Sequence, residues 1–121
     1  MNYGPEVLTL FREARHSGTV PGGACGYARG RSGVVEVVFS ATMADGRISA
    51  MRYGALGCPW VIAACEWACR EAEHRPLRRL AEFDAASLTG VLSAPAEKTG
   101  SLLVVEDAIA ALRANLERAE D

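Results

Sequence analysis

One stretch limits the fold more than any other: residues 34–55, VVEVVFSATMADGRISAMRYGA. Two β-prone runs flank Asp45-Gly46, a dipeptide that supplies the positive φ angles of a two-residue hairpin turn. The pattern predicts an antiparallel hairpin with strands at about 34–43 and 47–55. Alternation in the second strand puts Ile48, Ala50 and Arg52 on one face, and Ser49, Met51 and Tyr53 on the other.

Helices surround this hairpin in the chain. Residues 5–15 read as a helix, with Pro5 in its first turn and Val7, Leu8, Leu10, Phe11 and Ala14 on an apolar face. The glycine-rich stretch 21–33 reads as a flexible loop or an irregular edge strand. A second helix is predicted over about 59–73, with Pro59 at its first position and Cys58 at or near its cap. HRPLRRLAEF reads as a break and a short helix. Asp84 caps another at 85–91, with Leu88 and Leu92 facing inward. SAPAEKTG reads as a loop. The final segment, SLLVVEDAIAALRANLERAED, forms a long helix with Leu102, Val105, Ile109, Leu112 and Leu116 as its stripe. Helix, hairpin, then helices is the order of an α+β two-layer domain, with a small antiparallel sheet packed on helices.

The 121 residues suit one domain spanning 1–121, large enough for a core without disulfide staples. The net charge is -2 and there is no basic tract, which argues against a nucleic-acid partner. No apolar run reaches the length of a membrane span. The charged start, MNYGPEVLTLFREARHSG, is unlike a signal peptide, so the expected location is the cytoplasm. Thiols stay reduced there, so the four cysteines point to metal, redox or core roles.

The cysteines divide by setting. Cys58 stands at a helix N-terminus, where free N–H groups and the dipole favour thiolate, so it is a candidate ligand or nucleophile. Small buried packing at a strand-to-helix turn is the alternative. Cys65 and Cys69 lie four apart on the same helix, within VIAACEWAC. A shared metal is conceivable at that spacing, but the run is core-like and cysteine is a commonly buried residue, so packing is the reading. Cys25 lies in PGGACGYARG, where it can reach a metal or be incidental. His16 and His74 occupy helix-end settings and read as solvated. No nucleophile-histidine-acid set or phosphate loop is present, so no enzyme activity is expected.

The order of segments resembles the NifU/IscU-type iron–sulfur cluster scaffold domain over nearly the whole chain. YGPEVLTLFREARHSGTV is similar to that family's opening segment, and VVEVVFSATMADGRISAMRYGALGC to the hairpin leading into its Gly-Cys. SAPAEKTG is similar to its Leu-Pro-Pro-Val-Lys loop, and LLVVEDAIAALRANL to its last helix. The resemblance implies three cysteines and an aspartate at one end of the domain, holding a [2Fe–2S] cluster or zinc; soft thiolates select such groups. Carried over singly, the middle cysteine falls on Cys58. The last falls on Ser101, with Gly100 in place of the neighbouring histidine. The first, in Cys-Gly-Asp, falls at Ser32-Gly33-Val34. A second register puts it at Cys25-Gly26-Tyr27, with Tyr27 replacing the aspartate.

What the resemblance implies is therefore a divergent scaffold with an altered ligand set. Cys58 acts with Cys25, a partner's thiolate or an exogenous thiol, on an iron–sulfur cluster, iron, zinc or no metal at all. Two alternatives stay open. One is a degenerate binding module that keeps the fold and binds a cysteine desulfurase, a chaperone or another partner. The other is a thiol-based redox or transfer protein using Cys58.

Overall fold

The computed structural model describes residues 3–31 and 33–120. Its elements in chain order are α1 (Pro5–Arg12), β1 (Ala24–Arg29), β2 (Glu36–Ala44), β3 (Arg47–Leu56), α2 (Pro59–Ala72), α3 (Ala85–Leu92) and α4 (Thr99–Glu120). Short 3-10 turns at Leu77–Glu82 and Ala96–Lys98 join the last helices. The architecture is α+β, as the sequence pattern implies.

The hairpin forms where expected. Asp45 and Gly46 both have positive φ, 53° and 75°, the geometry of a type I′ turn. The glycine-rich stretch resolves into strand β1, which pairs antiparallel with β2 and completes a β1-β2-β3 meander.

The expected face assignment in β3 is corrected by a bulge. Thr42 pairs with Ala50, but Met43 pairs with Ile48, so Ser49 is an extra residue. The extra residue reverses the side-chain phase. Ile48, Met51 and Tyr53 therefore all enter the core, at no more than 2% exposure.

Helices cover only one face of the sheet, with α2 over β3 and α4 over β1 and β2. The close fit of α4 depends on Gly26. A Cβ there would run into the backbone of Ala108 and Leu112. The predicted stripe of α4 is buried throughout: Leu102, Val105, Ile109, Leu112 and Leu116. Asp84 caps α3 as expected, its carboxylate accepting from the Ser87 N–H at 2.8 Å, and Leu88 and Leu92 are fully buried.

Helix α1 is shorter than its periodicity suggests and ends at Arg12. The following residues are recruited by β3 instead. Tyr53 N–H donates to the His16 carbonyl at 2.9 Å, and Gly18 N–H donates to the Tyr53 carbonyl at 2.8 Å. An extended segment thus flanks the sheet, and the helix cannot continue through it.

Candidate functional site at the Cys58 end of the sheet

The chain leaves β3 at Leu56 and enters α2 at Pro59, so Cys58 becomes the cap of α2. Its backbone is extended (φ -77°, ψ 170°), and its carbonyl accepts from Val61 at 2.9 Å and Ile62 at 3.2 Å. The preceding Gly57 lets Val61 pack close, since a Cβ at Gly57 would sit 3.0 Å from the Val61 Cβ. Cys58 is half-buried against the core. Its side chain makes no capping hydrogen bond, which leaves the sulfur available to other partners.

The same end of the sheet holds the other positions implied by the resemblance. Leu56 pairs with Glu36, and Glu36 pairs with Arg29, so the end of β3, the start of β2 and the β1–β2 turn lie together. Ser101 stands in the first turn of α4 and lines a groove of about 690 Å³ with Gly30, Arg31, Glu97, Gly100 and Asp107. Ser32 lies outside the described residues. Cys58 is two strands away from β1 and is not part of the groove wall.

Cys25 does not join Cys58, and their expected pairing is corrected here. Cys25 is exposed on β1, in the row Cys25–Ser40–Arg52. The row nearest Cys58 is Arg29–Glu36–Leu56. At about 3.4 Å per residue the two rows lie about 13 Å apart, with two strand spacings of about 4.8 Å across as well. A metal–thiolate bond is about 2.3 Å, so one ion cannot take both sulfurs in this arrangement. The physical reason is that β1 is a regular strand, and its pleat turns Cys25 to the open face. Among the described residues no three His, Cys, Asp or Glu side chains converge on a point that could hold a metal. The donors of this chain alone therefore do not fit a four-ligand cluster site.

Cys65 and Cys69 are fully buried on the core face of α2. Burial, reinforced by the Glu66 carboxylate, pushes both thiols far above their ordinary range. They are neutral packing residues.

His16 departs from the solvated reading, whereas His74 is exposed as expected. His16 Nδ1 lies 2.6 Å from Glu66 Oε2, and Nε2 lies 2.6 Å from Glu73 Oε1. Contacts from both ring nitrogens to carboxylates suit the imidazolium form, in which both nitrogens donate. Arg70 Nε donates to Glu66 at 2.7 Å, and Arg52 and the Met51 N–H donate to Glu73 at 2.9 Å each. Burial raises the Glu73 carboxyl, but the Met51, His16 and Arg52 donors outweigh it and hold it below the usual range. The network ties the segment after α1 to α2 and β3. The signal for it was Glu66, a carboxylate within an apolar run, which at 0% exposure must have partners. Tyr53 lies beside this network. Its buried hydroxyl has no hydrogen-bond partner, and burial pushes its pKa up.

The arrangement defines a class: a three-stranded meander covered on one face by helices, with a thiol at the head of the helix that follows the hairpin. No family model matches the sequence, and no curated protein matches it. Solved structures do match. A protein assigned as an iron–sulfur cluster assembly scaffold for the SUF system, from the thermophile Fervidobacterium islandicum, superposes with a TM-score of 0.73 at 10% identity. That match covers 94% of this chain and 96% of the other. The N-terminal part of a nitrogen-fixing NifU-like protein from Brucella abortus gives 0.68 at 13% identity, covering 97% and 93%. The chain has the NifU/SufU-type scaffold fold.

Proposed function

We propose that this protein acts in iron–sulfur cluster assembly as a non-enzymatic, partner-dependent scaffold. Cys58 contributes one thiolate, and the remaining ligands come from a partner chain or an exogenous thiol. The observation that carries the reading is the position of Cys58, half-buried with an uncommitted sulfur at the cap of α2, in a fold shared with scaffold proteins. Soft thiolate favours iron–sulfur or zinc cargo at such a position. A cysteine desulfurase or a chaperone is the expected partner class.

The test is anaerobic reconstitution with iron, sulfide and a small thiol, followed by metal analysis and visible absorption. The expected outcome is thiol-dependent loading that Cys58→Ala abolishes. Metal-free protein under these conditions, or loading indifferent to Cys58→Ala, overturns the reading.

One observation favours a second reading, a binding module that keeps the fold without cargo. Ser101 and Gly100 occupy the head of α4, and a neutral hydroxyl is a poor substitute for a cluster thiolate. Stable binding to a desulfurase or chaperone by the metal-free protein, unchanged by Cys58→Ala, is its expected signature.

A further inference from the structure

The helices leave the other face of the sheet uncovered, and this face carries an apolar patch. Tyr27, Val38 and Leu56 are 56%, 37% and 64% exposed. The register brings them together: Tyr27 lies opposite Val38, Val38 lies opposite Gly54, and Leu56 follows two residues later on the same face. Gly54 has no side chain to fill the row, and a depression of about 240 Å³ lies over it, bordered by Tyr27, Val38 and Leu56. Scattered apolar residues on a surface need no explanation, but a contiguous patch around a depression marks an interaction surface.

The charge around the patch selects the occupant. The sequence has no carboxylate between Glu13 and Glu36, so β1 and both loops flanking it carry Arg15, Arg29 and Arg31 without an acid. The carboxylate of this face, Glu36, is already engaged by Arg29 at 3.5 Å and by the Tyr27 hydroxyl at 3.2 Å. Glu97 and Asp107 line the groove shared with α4 instead. The β1 side is thus basic on a chain whose net charge is -2. Two copies meeting through this face would bring their arginines together, whereas a partner with carboxylates would be attracted.

We propose that this face docks a partner protein through a segment with a large apolar anchor flanked by acidic residues. The anchor fills the depression over Gly54, and the carboxylates meet Arg29 and Arg31. Leu56 stands two residues before Cys58, so the docked partner lies next to the α2 cap. The proposal does not depend on the iron–sulfur reading.

The test is a titration of the isotope-labelled full chain, followed by backbone amide NMR. The probe is a synthetic dodecapeptide with a central Leu-Phe pair between runs of aspartate. The control peptide has lysines in place of the aspartates. The expected result is a set of shifts centred on Tyr27, Val38 and Leu56, with affinity that falls as salt rises. Leu56→Asp and, separately, Arg31→Glu each weaken binding by about tenfold, a loss of about 1.4 kcal/mol. Both sites are exposed, and unchanged amide shifts in the core verify folding. The proposal is overturned if the acidic peptide leaves this face unperturbed at millimolar concentration, or if the lysine control binds equally well. It is also overturned if sedimentation shows a dimer that Leu56→Asp dissociates, since a second copy would then cover the face.

Discussion

Gly26→Ala is the sharpest test of how α4 is seated. Gly26 is in a strand, and its φ is not among the positive values. In an open strand, alanine would stabilise by about 0.4–1 kcal/mol by narrowing the unfolded ensemble. Here its Cβ would lie 2.6 Å from the Leu112 Cα and closer still to Leu112 N and the Ala108 carbonyl oxygen. Non-bonded carbons prefer about 3.5–4.0 Å, so α4 would have to withdraw by about 1 Å. All three contacts are backbone atoms, which cannot swing aside. A gap of that size forfeits about a quarter to a half of each affected dispersion contact. Overpacking that side chains can absorb costs about 1–3 kcal/mol. With a rigid helix in the way the expected loss is about 3 kcal/mol. For a chain of this length that corresponds to a fall in Tm of about 12 °C. Urea denaturation and thermal melts, both followed by circular dichroism, give the two values. A variant as stable as the parent within about 0.5 kcal/mol, or more stable, would refute the close seating of α4 on β1.

Other predictions follow from the thiols and the buried charges. Iodoacetamide should modify Cys25 readily and Cys58 more slowly, while Cys65 and Cys69 wait for unfolding; opening costs of about 5 kcal/mol or more slow them by about 10³-fold or beyond. Peptide mass spectrometry at timed intervals reads this, and early labelling of Cys65 would contradict its packing role. His16→Ala should destabilise by about 3 kcal/mol, because Glu66 keeps its burial but loses a partner; His74→Asn, at an exposed left-handed position, should change stability little. Glu73 is held below the ordinary carboxylate range, so its contribution is fully present above the unfolded value of about 4.3 and is lost as pH falls through the lower folded value. Glu73→Gln should therefore flatten the acid limb of the stability profile below about pH 4.3, and an unchanged limb would remove Glu73 as its source.

Local physics made much of the fold readable from the sequence. Asp45-Gly46 dictates its own turn, because few other residues accept two consecutive positive φ angles. Pro59 marks the start of α2, Asp84 caps α3, and the stripe of α4 follows from helical periodicity alone. The packing role of Cys65 and Cys69 was legible for the same reason, since their neighbours in the run are small and apolar. Cys58 could be placed at a helix cap from one proline.

Tertiary structure decided the rest. The bulge at Ser49 depends on how β2 and β3 pair, and no single-strand pattern contains that choice. The glycine-rich stretch became β1 because an adjacent strand and α4 supplied partners, with Gly26 admitting the helix. His16 looked like a solvated helix-end residue because Glu66 and Glu73 are 50 and 57 positions away in the chain. The separation of Cys25 from Cys58 has the same origin: in a regular sheet, register and pleat fix where each side chain points, whatever its chemistry favours. Helix caps, turns and stripes are set by neighbours in sequence, whereas which thiols can share an ion is set by pairing across the sheet.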